Sequence, residues 1–305
     1  MIGIHLLGQA VPNAALSADP TRASTSLESR REAIASIPFD KMKRDIAATV
    51  RGVVTKPSIY RRLPISMIDC DRELFIYLIR YPEVVVNMWQ LMDITKLQLR
   101  RTDDYTFHAD DGAGTKAKVD LVYGTSDIHV LYAEGFYEGP LMKRKTKGRC
   151  VLVLTSGYSN VNDGTTYVSS QLDVFVRVDG IGAELVAKTL QSLVGKTADF
   201  NFSETNRFIS EVSRAAETKW NGVERLVGRL NNIESDVRDE FGEIASTVRQ
   251  RKGNRTELSA ARLSESRRRS LPKPVQRLEP VKQSRAVSTS PITSNTLQTP
   301  AQGFD

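Results

Sequence analysis

Residues 149–190 read RCVLVLTSGYSNVNDGTTYVSSQLDVFVRVDGIGAELVAKTL. Within them the hydrophobic period changes once, and that change decides the fold. Arg149 to Tyr158 is a strongly apolar strand and Asn162-Asp163-Gly164 is a hairpin signal. Thr165 to Val178 is a long strand whose Val168, Leu172, Val174, Val176 and Val178 favour one face. Two-residue alternation marks a strand with one side buried, and Asp-Gly supplies the positive φ that a tight hairpin needs. After Asp179-Gly180 the period turns helical over Ile181 to Val194, with Gly195 as an interruption. Gly180-Ile181-Gly182 reads as a tight strand-to-helix turn. The third glycine of a dinucleotide loop is replaced by Leu185, and the strand before it belongs to a hairpin, not to a βαβ unit.

Toward the N-terminus the alternation continues. Leu97 to Arg101, Tyr105 to Ala109, Lys116 to Tyr123 and Asp127 to Tyr137 are predicted strands, joined by turns at residues 102–104, 110–114 and 124–126. Before them, Asp71 caps a short helix to Arg80, and Pro82 opens a second one that runs to Ile94. Ile59 to Asp69 (IYRRLPISMID) is a further strand, which Pro64 restricts to an edge or a bulge. Helices over Glu28 to Val54 break at Pro38, and Phe39, Met42, Ile46, Val50 and Val53 form one apolar stripe. On the C-terminal side a long helix is predicted from Ser203 to about Arg249. Val223, Leu226, Leu230, Ile233, Val237, Phe241, Ile244 and Val248 form a near-heptad seam on it. That seam can pack back on the N-terminal helices or pair with a second copy of the chain.

Charge divides the chain. Residues 251–305 carry eleven Lys/Arg and four Asp/Glu; removing them from totals of 43 and 36 leaves 32 of each for residues 1–250. The folded part is neutral, which removes most support for a duplex-binding surface, and the tail has the Ser, Thr, Pro and Arg content of a disordered segment. Arg267-Arg268-Arg269 could touch an anionic membrane or nucleic acid, although a solvating tail is the commoner case. Two cysteines, Cys70 and Cys150, and three histidines, His5, His108 and His129, offer no metal-ligand spacing and no cofactor motif. Residues 1–18 are uncharged and moderately apolar, with small residues at Ala15 to Ala18. They read either as the end of an export signal or as a frayed cytoplasmic terminus. The resulting division is a flexible 1–27, helices over 28–56, a main domain over 57–230, a helical extension over 231–250 and the tail.

The element order, the helix PEVVVNMWQLMD (residues 82–93) and the junction FVRVDGIGAELVAKTL (175–190) resemble the START-like, or helix-grip, superfamily of lipid-transfer, polyketide cyclase-like and coenzyme Q-binding proteins over Ile59 to Leu230. The resemblance implies an α+β fold in which a curved seven-stranded antiparallel sheet wraps around a long C-terminal helix. It also implies an apolar ligand, a lipid or other hydrophobic small molecule, in the cavity between them. Most members of the superfamily are carriers or binding proteins and a minority are cyclases. Three functions stay open: non-catalytic carriage, a cyclase-like enzyme, and a scaffold acting through the C-terminal helix and tail.

Candidate cavity residues are Trp89, Phe107, Tyr123, Tyr132, Phe136, Tyr137, Phe175 and Phe208, although aromatics at strand and helix spacing are more often ordinary core. Lys143, Arg144, Lys145, Lys147 and Arg149 form a basic run in one strand connection. They would contact anionic lipid headgroups if that connection bordered the cavity mouth, and otherwise they form a solvated loop. Asp103, Asp104, Asp110, Asp111 and Asp163 fall in turns, where Asp bonds nearby amides, so they are read as turn residues. His108 and His129 lie on separate hairpins and would serve acid/base chemistry only if they converged beside a carboxylate.

Overall fold

The computed structural model describes residues 22–140, 144–161, 165–180 and 191–270, with backbone alone at 191–197 and 263–270. The candidate leader, Lys143, the Asn162–Gly164 turn and the tail from 271 lie outside the described residues. The chain divides at Ala261 and Arg262 into two units.

Helix α1 (Leu27–Ser36) starts where the Ser26 hydroxyl accepts the Ser29 N–H at 3.1 Å. A single 3-10 turn over Phe39–Lys41 follows Pro38, then α2 (Arg44–Val54). The first strand is split. β1 (Ile59–Arg62) pairs with residues 173–176 of β8 (Thr166–Val178), and β2 (Ser66–Asp69) pairs with residues 167–170 of the same strand. The Leu63 N–H still donates to the Leu172 carbonyl of β8 at 2.8 Å, and the strand then breaks at Pro64 and Ile65, where the proline nitrogen has no proton to donate. Asp71 then caps α3 (Arg72–Arg80), its carboxylate accepting the amides of Glu73 and Leu74, and Pro82 opens α4 (Pro82–Leu91).

β3 (Gln98–Asp103), β4 (Thr106–Asp110), β5 (Thr115–Gly124), β6 (Ile128–Tyr137) and β7 (Thr146–Asn160) form an antiparallel meander with β8. The sheet order is β1-β8-β7-β6-β5-β4-β3, so the sheet has seven positions and eight strands, with β1 and β2 sharing one edge. Gly180, at φ +72°, ends β8 in a backbone region where only glycine sits without strain.

Three helices follow: α5 (Gln191–Thr218), α6 (Trp220–Val227) and α7 (Ser235–Ser270). They correct the single helix expected from Ser203. Residues 191–218, including Gly195, are one helix, so neither Gly195 nor Ser203 is a boundary. Lys219 leaves helical geometry (φ −133°, ψ 45°) and caps α6. The apolar seam runs unbroken through these turns because all the pieces bury it in one core. Leu230, in the connection, is fully buried, as are Phe241 and Ala245. α7 also stays helical to Ser270, past the Arg251 at which the tail was expected to begin.

Register assigns every strand residue to a side of the sheet, since directly paired residues share a face and neighbours alternate. The face bearing Leu152, Leu154 and Val168 carries α3 to α7 and is called the inner face. Its core joins Phe75, Leu78 and Val85 to Ile209, Val223, Phe241 and Val248. The seam therefore packs on α3, not on α1 and α2. The Tyr77 and Phe241 rings stack at 6.3 Å, and Arg251 donates to both Asp71 and Glu73. The outer face, bearing Val151, Val153 and Phe175, carries α1 and α2 through Ala33, Ile37, Val50 and Val53. On that face Asp173 accepts from Tyr60 Oη at 2.7 Å and Arg62 Nε at 2.9 Å, and Arg62 also reaches Glu32 of α1. An antiparallel sheet with a C-terminal helix across one face and added N-terminal helices on the other is a helix-grip α+β fold.

Candidate functional site

At the centre of the inner face the side chains are apolar yet only half buried. Val176 of β8, Cys150 and Leu152 of β7, Leu131 and Ala133 of β6, and Val119 and Leu121 of β5 lie in two adjoining cross-strand rows. Ion pairs from the sheet's edges flank these rows. On one side Arg61 of β1 donates through two nitrogens to Asp199 of α5. On the other, Arg101 of β3 meets Glu83 of α4 at 2.6 Å. The Arg101 guanidinium also lies 4.6 Å from the Tyr81 ring centroid and 4.5 Å from that of Phe107, and it donates to the Arg80 carbonyl. Above the sheet α4 and α5 touch through Trp89 and Phe208, whose rings meet edge to face at 5.7 Å.

Over the next two rows along the strands the surface turns polar and closed. His129 of β6, Ser156 of β7, Ser170 of β8 and Asn206 of α5 are all at least 95% buried. Both His129 ring nitrogens, the two serine hydroxyls and Asn206 Nδ2 lack a hydrogen-bond partner among the described residues. Burial, with a smaller contribution from the Arg80 charge, pushes the His129 pKa down from 6.5 to about 4, so the imidazole is neutral. Burial alone pushes the Cys150 thiol up to about 12, and it dominates the rise at Cys70. Neither thiol is therefore a thiolate nucleophile at neutral pH.

The aromatic candidates divide between the faces. Trp89 and Phe208 border the inner field, and Phe107 lies on the inner face beneath Arg101, fully buried. Tyr123, Tyr132 and Phe175 lie on the outer face in the core formed with α1 and α2. Phe136 is on the outer face too, where it lines an open trough, and Tyr137 alternates back to the inner face. Of the eight candidates, Trp89, Phe107, Phe208 and Tyr137 thus lie on the side that faces α5, and only Trp89, Phe107 and Phe208 of them stand beside the apolar field or its flanking ion pair. His108 and His129 also point to opposite faces and do not converge.

The basic run divides in the same manner. Arg144 is exposed, Lys145 lies 3.5 Å over the Phe136 ring centroid, and Lys147 and Arg149 line the outer trough, Arg149 pairing with Asp179. These described side chains flank the face opposite the apolar field. The apolar field itself was missed in the sequence, where valines, leucines, an alanine and a cysteine look like any buried strand; only their partial exposure sets them apart. Among the described residues no helix is long and apolar enough to cross a membrane.

No family model and no curated protein matches the chain. Among solved structures it is similar to a conserved protein from Geobacillus kaustophilus, with 16% identity over 50% of this chain and 93% of that one, at a TM-score of 0.34. It is also similar to norcoclaurine synthase from Thalictrum flavum (10% identity, 50% and 93% covered, TM-score 0.32). A third is the di-domain ARO/CYC BexL from the BE-7585A biosynthetic pathway (14% identity, 55% and 58% covered, TM-score 0.29). These likenesses are distant, and the fold assignment stands on the strand order and helix placement given above.

Proposed function

We propose that this protein binds a hydrophobic small molecule, a lipid or a similarly elongated apolar compound, between the inner face and α5, and carries it without chemical change. The carrying observation is the half-buried apolar field around Leu131 and Leu152. An apolar surface at the centre of a sheet face, flanked by ion pairs and neighboured by helices, gains about 25 cal/mol for each Å² that a ligand removes from water. No observation favours the cyclase reading, because His129 has no described carboxylate beside it and His108 lies on the other face.

The test is native mass spectrometry of the protein purified from its own cells, followed by organic extraction, together with a Leu131→Arg variant. A stoichiometric apolar adduct on the wild type that the variant lacks is the expected result. If neither form carries an adduct, and neither binds a fluorescent fatty acid saturably, the proposal fails.

A further inference from the structure

The polar end of the inner face is one continuous line of groups. Ser66 of β2 pairs with Ser170 of β8, and Ser170 pairs with Ser156 of β7, so three hydroxyls stand in one cross-strand row. Directly paired side chains on one face have Cβ atoms about 5 Å apart. His129 of β6 is the diagonal neighbour of Ser156 and lies two residues from Leu131 on the same face. Leu131 and Leu152 of the apolar field are thus followed first by His129 and then by the serines.

Helix α5 brings a further polar group to this end. Asp199, Asn206 and Ser213 are spaced by seven residues, close to two helical turns, and so lie on one stripe. At one end Asp199 pairs with Arg61, and at the other the Ser213 hydroxyl accepts the Asp71 amide at 3.1 Å. Asn206 is midway between these anchors on the helix, as Ser66 is midway between Arg61 and Asp71 on the sheet edge. That places Asn206 at the level of the serine row.

Folding does not explain these groups. Leaving buried hydroxyls, ring nitrogens and an amide unpaired costs stability, and small apolar side chains would fill the same space without that cost. Yet the Ser156 and Ser170 hydroxyls, both His129 nitrogens and Asn206 Nδ2 have no partner among the described residues. Tyr158, next to Ser156 on the same face, gives its hydroxyl proton to the Ser126 carbonyl instead. Among the described residues no cation hydrogen-bonds to the row. Arg72 packs on the Tyr158 ring, and Arg80 acts on His129 only through its field. A carboxylate or phosphate at this end would be buried without a hydrogen-bonded counter-charge.

Resting on the carrier reading above, we propose that the ligand bears one uncharged oxygen, a hydroxyl or a carbonyl, at the end that meets Ser156, Ser170 and Asn206, while the rest of it is apolar and covers Leu131 and Leu152. Ser156 and Asn206, 5% and 4% exposed, are the groups such an oxygen reaches first, and they turn toward it as it seats. Serine hydroxyls and a neutral imidazole donate or accept and Asn206 Nδ2 donates, so either kind of oxygen can be satisfied.

Displacement of the fluorescent hydrocarbon diphenylhexatriene from the full chain by hexadecanol, palmitate and hexadecane tests this. Hexadecanol should displace the dye about tenfold better than hexadecane, since a hydrogen bond to a group otherwise left unpaired is worth about a factor of ten. Palmitate should do no better than hexadecane. In Ser156→Ala/Ser170→Ala the alcohol should fall to the hexadecane level, with hexadecane itself unchanged and the melting temperature not lowered, whereas a merely structural role would lower it. Asn206→Leu, a second variant of similar bulk, should lose the preference in the same way. Equal displacement by all three compounds overturns the inference and leaves the carrier reading standing, and so does a preference for palmitate. A preference for the alcohol that both variants retain overturns it as well. If neither the dye nor any of the three compounds binds, the carrier reading fails and the inference falls with it.

Discussion

His129 makes folding sensitive to acid in a way that can be worked out from its surroundings. The ring is fully buried, with neither nitrogen paired among the described residues, and its pKa falls from 6.5 to about 4 on folding. Between those values the unfolded chain binds a proton that the folded chain does not. Stability is therefore complete above pH 6.5, declines as the pH falls, and levels off below about 4. At about 1.36 kcal/mol per pH unit the whole effect is about 3.4 kcal/mol, of which about 2.6 kcal/mol is lost by pH 4.5. His129→Leu removes the titration and the unpaired nitrogens while keeping a side chain of similar bulk. The assay is urea unfolding of both forms by tryptophan fluorescence from pH 7.5 to 4.5, reported as the difference between them so that other titrating groups cancel. The variant should gain on the wild type as pH falls, by about 2.6 kcal/mol at pH 4.5. A difference that changes by less than about 0.5 kcal/mol over that range would refute the reasoning, because the ring would then titrate alike in both states.

Three further outcomes follow from packing. Asp173→Ala should cost about 3–5 kcal/mol in urea unfolding, because it leaves the buried Tyr60 hydroxyl and the Arg62 guanidinium without their shared carboxylate. Phe241→Ala should also cost about 3–5 kcal/mol, with an unchanged sedimentation coefficient, since the ring fills this chain's own core. Gly135→Ala should lower the melting temperature by several degrees, because an added Cβ would lie 2.2 Å from the Lys116 carbonyl oxygen, and backbone cannot step aside as a side chain can.

Local chemistry was the legible part of the sequence. Pro64 marked an edge, Asp71 a cap and Pro82 a helix start, each through a bond that one residue makes or cannot make within a few positions. The period change after Val178 set sheet before helix. What stayed hidden needed register or long-range packing. Phe175 and Phe107 alternate in their strands equally well, and only the pairing with β7 and β3 sends them to opposite faces. The turns at Lys219 and after Gly228 were invisible because buried Leu230 continues the apolar period through a connection that is not helical. The apolar field was hidden because a residue's type does not reveal how much of it a neighbour covers.

The break at Pro64 has a consequence for the molecule among its own copies. β1 and β2 are four residues each. An incoming strand would find no long straight row of free donors and acceptors to add to, only two short stubs with an imino nitrogen between them, and Arg62 of the first already exchanges both backbone bonds with Ser24. Restoring a continuous edge, by Pro64→Val for example, would be expected to turn this margin into a template on which chains stack into fibrils. The residue that looks like a flaw in the sheet is thus what keeps that margin from recruiting its neighbours.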